Sequence, residues 1–169
     1  MTRLGTIVQE ALDQLEWHGE LTADEAAGTT RFSSVIHIQD QPCELFIDTH
    51  EESDFVGVFY YPPFRVKTDR YTETCLLINA INTRTRLGHL EILRNNGRLR
   101  MVVNADVEGA SPTGVFVRQM MRLGADTLSN WMGELAAVAL SNRSADDVLA
   151  ELEQREEQPA ALAQDEAAD

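Results

Sequence analysis

Near the middle of the chain the spacing of apolar residues changes sharply from helical to alternating, and this change constrains the fold more than any other feature. Thr74, Leu77, Ile78, Ile81 and Thr85 recur at helical spacing, which makes one buried stripe on a helix. Thr68 or Asp69 is the candidate N-cap, since either side chain can accept from a free N–H of the first turn. Gly88 is the candidate stop, because a left-handed residue there costs glycine nothing. Arg84 and Arg86 suit the negative helix end. From His89 onward the period becomes two. Asn96-Gly97 is a strong hairpin signal, because both residues of a tight primed turn need positive φ. As a two-residue loop it pairs Ile92 with Met101 and Leu90 with Val103, placing all four on one face.

The flanking segments supply support. Thr6 opens a first helix with Gln9 as capping-box partner, and Leu4, Ile7, Val8, Ala11, Leu12 and Leu15 line one side. Residues 21–27 read as one more turn or a loop. Residues 30–39 alternate, with Phe32, Ile36 and Ile38 opposite Ser33, Val35 and His37; Asp40-Gln41-Pro42 then turns the chain. Residues 43–49 and 55–61 are two further strands, and Pro62-Pro63 ends the last because neither can donate to a ladder. Ser111-Pro112 starts a long helix reaching Leu140. One of its stripes is Phe116, Met120, Leu123, Thr127, Trp131, Leu135 and Val138. A second is Val117, Met121, Leu128 and Met132. So wide an apolar surface exceeds what one sheet face covers. The second stripe, with Gly124 near its centre, is therefore the expected partner or dimer interface. Packing of the whole helix against its own sheet is the plainer alternative.

With 169 residues the chain can build one domain with a real core. The expected division is an α+β domain over residues 1–142, an acidic helix over 143–158 capped by Ser144, and a disordered tail over 159–169. From Ser144 onward nine acids face Arg155 alone, which accounts for eight of the fourteen net negative charges. Such a balance opposes wrapping phosphate backbones. One stretch is basic, with Arg84, Arg86, Arg94, Arg98 and Arg100 against Glu91. Without interleaved aromatics it reads as a solvated sheet face rather than a nucleic-acid site. No apolar run approaches the ~20 residues of a membrane span. No secretory signal is visible, and Cys43 and Cys75 are too few for a disulfide framework. A cytoplasmic protein is expected.

A search for chemistry finds little. His18, His37, His50 and His89 stand at no metal-binding spacing with each other or with the cysteines. His37 and Cys43 could meet across the first hairpin, but an exposed histidine and a buried thiol explain them better. No nucleophile elbow or phosphate loop is present. The expectation is therefore no catalytic residue, no metal and no cofactor. Asp48, His50 and His89 remain the only candidates for an enzyme of unrecognised type. Asn79 and Asn82 lie three apart on an otherwise apolar helix, where their amides can bond neighbouring backbone and lock helix to sheet.

The stretch Leu77-Ile78-Asn79-Ala80-Ile81-Asn82, followed by Gly88, the hairpin and Val102-Val103-Asn104-Ala105-Asp106-Val107, resembles the YbjN family. The order of elements, α-βββ-α-ββ-α, resembles it too, over residues 6–140. That family is similar in fold to the chaperones of type III secretion systems, and its members are described as sensory transduction regulators. The resemblance implies an α+β fold in which helices pack an antiparallel sheet built of a three-strand meander and a hairpin. It also implies dimerisation, no cofactor and a role in binding proteins. Met120, Met121, Met132 and Met101 fit an adaptable apolar surface. The function expected is a non-enzymatic module, chaperone-like or regulatory, holding a segment of an unidentified protein partner. The competing readings are an enzyme built on Asp48, His50 and His89, and a nucleic-acid regulator acting through the basic stretch.

Overall fold

In a computed structural model, residues 2–17 and 19–154 are described. Six antiparallel strands form one sheet in the order β1-β2-β3-β4-β6-β5. In chain order the elements are α1 (Arg3–Gln14), β1 (Glu20–Asp24), β2 (Thr29–Ile38), β3 (Gln41–His50) and β4 (Phe55–Tyr61). A 3-10 turn (Thr68–Arg70) then leads into α2 (Tyr71–Arg84), followed by β5 (His89–Leu93), β6 (Arg98–Asp106) and α3 (Gly114–Leu140). A further helix, α4, occupies residues 145–154. The fold is α+β as expected, but its meander has four strands. Glu20–Asp24 pairs with Thr29–Ser33, where the sequence reading expected one more turn or a loop.

The register explains why one sheet face is apolar. Phe32 lies opposite Ile47, Ile47 opposite Val58, and Val58 opposite Val103. The next row runs Ser34, Leu45, Tyr60, Met101, Leu90. Side chains alternate across a strand, so both rows share a face, and apart from Ser34 their members are buried. Helices α1, α2 and α3 cover that face.

Three turns differ from the sequence reading. The β5–β6 register pairs Leu90 with Met101 and Ile92 with Leu99, two residues away from the expected one. The loop is four residues long, 94–97, closed by Gly97 N–H donating to the Leu93 carbonyl at 2.8 Å. Gly97 has φ +68°, whereas Asn96 stays at negative φ and its Oδ1 accepts from Arg98 N–H. Asn-Gly here belongs to a longer turn with only its last residue left-handed. The tight two-residue turn lies instead at Gln39-Asp40, with φ +49° and +60° and Ile38 opposite Gln41. No glycine announces it. Gln39 Nε2 donates to the Ser129 carbonyl at 2.7 Å and ties the turn to α3. Gly88 has positive φ, but it sits ahead of β5 rather than at the helix end, close against Val102 O. The C-cap of α2 is Thr85.

Helix starts differ as well. α1 begins at Arg3 with Thr2 as N-cap, its Oγ1 accepting from Gly5 N–H at 3.0 Å. Neither Thr68 nor Asp69 caps α2, which is reached through the 3-10 turn. α3 starts at Gly114, and its first N–H is satisfied from α1, donating to Glu10 Oε2 at 3.0 Å. Any Cβ at Gly114 would stand 2.9 Å from Ala11 N, so α1 and α3 meet backbone to backbone there.

α4 belongs to the same core. Ala145 and Val148 are buried in it, and Leu149 and Leu152 pack on it. Ala145 N–H donates to Glu73 Oε2 on α2 at 2.8 Å. The expected disordered tail, residues 159–169, lies outside the described residues.

Candidate functional site: an apolar hollow beside an open strand edge

The stripe expected to face a partner is used inside the chain. Val117 and Leu128 are fully buried, Met121 and Met132 nearly so. Gly124 lies against the Tyr60 ring, where a Cβ would come within 2.6 Å of Cε2. That contact lets the Tyr60 hydroxyl donate to the Met121 carbonyl at 2.7 Å. Burial pushes the Tyr60 phenol well above its usual range, so it stays a neutral donor. The surface was too wide for a sheet alone, and α1 and α2 flank α3 and cover the remainder. Val117, Met121, Gly124, Leu128 and Met132 are thus not an interface in this structure.

The enzyme candidates do not converge. Asp48 accepts two bonds from Arg31, both at 2.7 Å. His50 lies on the same strand against the Phe55 ring, 5.8 Å between centroids. His89 lies on β5, with β4 and β6 between it and β3, about 14 Å away at ordinary strand spacing. Cys43 faces the core opposite Ile36, and burial pushes its thiol up to about 11. His37, opposite Pro42, faces out, so the two do not meet. His18 is outside the described residues. Among the described residues no three histidine, cysteine or carboxylate groups gather as metal ligands would.

Of the two asparagines, Asn82 bonds both backbone groups of Leu90. Its Nδ2 donates to the carbonyl at 3.0 Å and its Oδ1 accepts from the N–H at 2.8 Å. It therefore occupies the free side of edge strand β5. Asn79 is exposed.

The basic stretch does gain aromatics, from strands remote in sequence. Arg98 stacks 4.1 Å over the Tyr61 ring and Arg100 4.9 Å over Phe59. Both arginines also hold carboxylates, Arg98 on Glu44 and Arg100 on Glu91. The ring faces and the positive charges are thus already engaged. Arg84 reaches Glu153 at 3.9 Å, away from that cluster.

What remains open is at the other end of the sheet. β1 pairs with β2 only as far as Glu20 opposite Ser33. Beyond it, residues 34–38 have β3 on one side and, among the described residues, no strand on the other. The two-residue turn makes Ile38 and Gln41 a mutually bonded pair. Alternate residues then face β3, leaving Val35 and His37 to aim N–H and C=O outward. Pro42 opposite His37 fits this phase, since it has no N–H to give. Beside Ile36 lies a hollow of about 340 Å³ lined also by Leu15, Trp17, Tyr60, Met121 and Ala125, together with the polar Arg118, Gln119 and Arg122. A second hollow, of about 500 Å³, separates Glu16 and Trp17 from residues 34–37. Val35 is 60 % exposed beside them. Arg118 Nε is buried with no hydrogen-bond acceptor among the described residues. Sequence reasoning missed this site because its residues come from the loop after α1, β2, β4 and α3.

Comparison with known proteins follows the fold. The family model for YbjN, described as "Putative bacterial sensory transduction regulator", matches residues 5–137. No curated protein matches the sequence. Among solved structures, E. coli YbjN, described as "a putative transcription regulator", is similar with a TM-score of 0.51 and 13% identity. The match spans 77% of this chain and 92% of that one. A chain in the crystal structure of the ExsC–ExsE complex is similar with a TM-score of 0.54 and 13% identity, over 80% of this chain and 97% of that one. At that identity the likeness concerns the fold. The family model spans most of the sequence, and the chain belongs to the YbjN family.

Proposed function

We propose that this protein is a non-enzymatic, cytoplasmic protein-binding module, chaperone-like or regulatory, that holds a segment of a partner protein at the hollow beside β2. The observation that carries this reading is an apolar hollow lined in part by Ile36, on a strand segment that has no strand on its far side among the described residues. Soluble chains blunt such edges with charge, proline or a covering element, as Asn82 does for β5. Residues 34–38 carry neither a formal charge nor a proline. A complex between ExsC and ExsE exists for a chain of this fold, which accords with a protein partner. The two unpaired thiols accord with a reducing compartment, and no helix of the described residues is long and apolar enough to cross a membrane. The homodimer expected from the α3 stripe loses its support, because those side chains are already buried. The scattered Asp48, His50 and His89 give an enzyme no support, and the carboxylates on Arg98 and Arg100 weaken a nucleic-acid role.

The test is site-specific photo-crosslinking in cells. A probe at Val35 should yield a discrete protein adduct that a probe at exposed Leu87 does not. The adduct should vanish with Leu15→Glu or Ala125→Glu in a chain that still melts cooperatively. An adduct from Val35 that survives both substitutions would contradict the reading.

A further inference from the structure

We infer that the hollow lined by α3, β2 and β4 is also a small-molecule site, for an amphiphile with an apolar body and one carboxylate that pairs with Arg118. The inference goes beyond partner docking, and it is read on the chain alone. Size comes first. A volume of about 340 Å³ falls within the ~300–1,000 Å³ of small-ligand cavities, which combine apolar and aromatic walls with a few polar groups. Trp17, Ile36, Tyr60, Met121 and Ala125 supply such walls. The Tyr60 hydroxyl is spent on the Met121 carbonyl at 2.7 Å, so Tyr60 offers a ring face rather than a free donor. Ala125 is the small residue among them, and a longer side chain there would occupy the space.

Charge comes second. Arg118, Gln119 and Arg122 are the polar side chains of the same lining. Gln119 and Asp126 engage Arg122. Arg118 has no such partner among the described residues, and its Nε is shielded from solvent without an acceptor. A shielded donor left unpaired is costly, and folded chains rarely keep one. Water can accept from the N–H but brings no charge. A carboxylate does both, in the forked geometry that a guanidinium matches. One negative charge fits better than two. Arg118 is the one guanidinium of the lining left without a partner, and Asp126 beside Arg122 would repel a dianion such as a phosphate. The chain carries a net charge of −14, so its overall field does not draw anions, and selectivity rests on the local contact with Arg118.

The experiment titrates octanoate into the full chain and follows backbone amide shifts by NMR. Two further probes separate the contributions: 1-octanol has the chain without the charge, and acetate the charge without the chain. Octanoate should shift Trp17, Ile36 and Met121 saturably and leave Leu76 and Leu87 unmoved. Octanol should bind at the same residues about tenfold more weakly, and acetate should shift none of them. Arg118→Gln should lower octanoate to the affinity of octanol and leave octanol unchanged, whereas Arg118→Lys, which keeps the charge, should retain the preference. Ala125→Leu should abolish binding of both by filling the hollow. Thermal melting of each variant checks the fold, and the two Arg118 variants carry the test if Ala125→Leu melts early. Equal affinity of the parent for octanoate and octanol, or a preference that persists in Arg118→Gln, would overturn the pairing with Arg118. Shifts that leave Trp17, Ile36 and Met121 unmoved, that never saturate, or that survive in a folded Ala125→Leu chain would overturn the hollow as a ligand site. None of these results bears on the Val35 crosslink, so the two readings fail separately.

Discussion

Gly97 and Asn82 show how single residues hold the β5–β6 unit in place. Gly97 combines φ +68° with Val66 O only 2.9 Å from where a Cβ would sit. Gly97→Val should lower unfolding free energy by about 1–2 kcal/mol or more, since the left-handed region alone costs that much for a side chain. An unchanged denaturant midpoint would contradict the turn. Asn82→Ala strands both backbone groups of Leu90, a loss of about 1–3 kcal/mol, whereas exposed Asn79→Ala should stay within about 0.5 kcal/mol. Equal effects in a paired urea titration would refute the assignment of Asn82 to the sheet edge. Titration offers another residue-scale check. Burial raises the pKa of the Cys43 thiol from 9.0 to about 11 and that of the Tyr60 phenol above its usual 10.0. Both groups keep their protons when folded and lose them when unfolded. The resulting stability is complete below about pH 9 and falls as pH rises toward 11. Cys43→Ala with Tyr60→Phe should flatten that alkaline slope.

The elements differ in how plainly the sequence announces them, and the reasons are physical. Leu77, Ile78 and Ile81 state the buried face of α2 directly, because the helix lies on the sheet along one stripe. β1 was missed because the alternation of Glu20-Leu21-Thr22-Ala23-Asp24 is short and only weakly apolar, and pairing with β2 completes it. Asn96-Gly97 marked a real turn, but a dipeptide does not carry its loop length. The true two-residue turn, Gln39-Asp40, accepts two left-handed non-glycine residues because Gln39 is anchored to α3. α3 was right in extent at its C-terminus and wrong in partner. Its wide apolar surface was legible, but which neighbours share it is a tertiary fact. Two element-scale outcomes follow. Met121→Glu should destabilise the fold by about 3 kcal/mol or more through an unpaired buried charge, not convert a dimer to monomers. Light scattering alongside thermal unfolding distinguishes these results. Glu10→Ala should cost about 1 kcal/mol by uncapping α3, and a chain as stable as the parent would sever the α1–α3 link.

At the scale of the molecule, one face of the sheet is roofed by helices, and on part of the other Arg98 and Arg100, paired with carboxylates, stack on aromatic rings. One of its edges is closed by Asn82. The opening lies where β1 stops short of β2, and four chain segments meet around it. That convergence is why no window of sequence could show it. This chain shares its fold with a chain of the ExsC–ExsE complex at 13% identity, so the site rests on this chain's own residues. The account's central claim is that a partner occupies residues 34–38 and the hollow beside them. Hydrogen exchange tests it most directly, comparing the free chain with the chain bound to the protein captured from Val35. The account predicts that the Val35 and His37 amides slow at least tenfold on binding, with little change at Leu76, Leu87 or the Arg98–Arg100 face. Protection confined to α2 or to the arginine face, with Val35 and His37 exchanging as in the free chain, would contradict it.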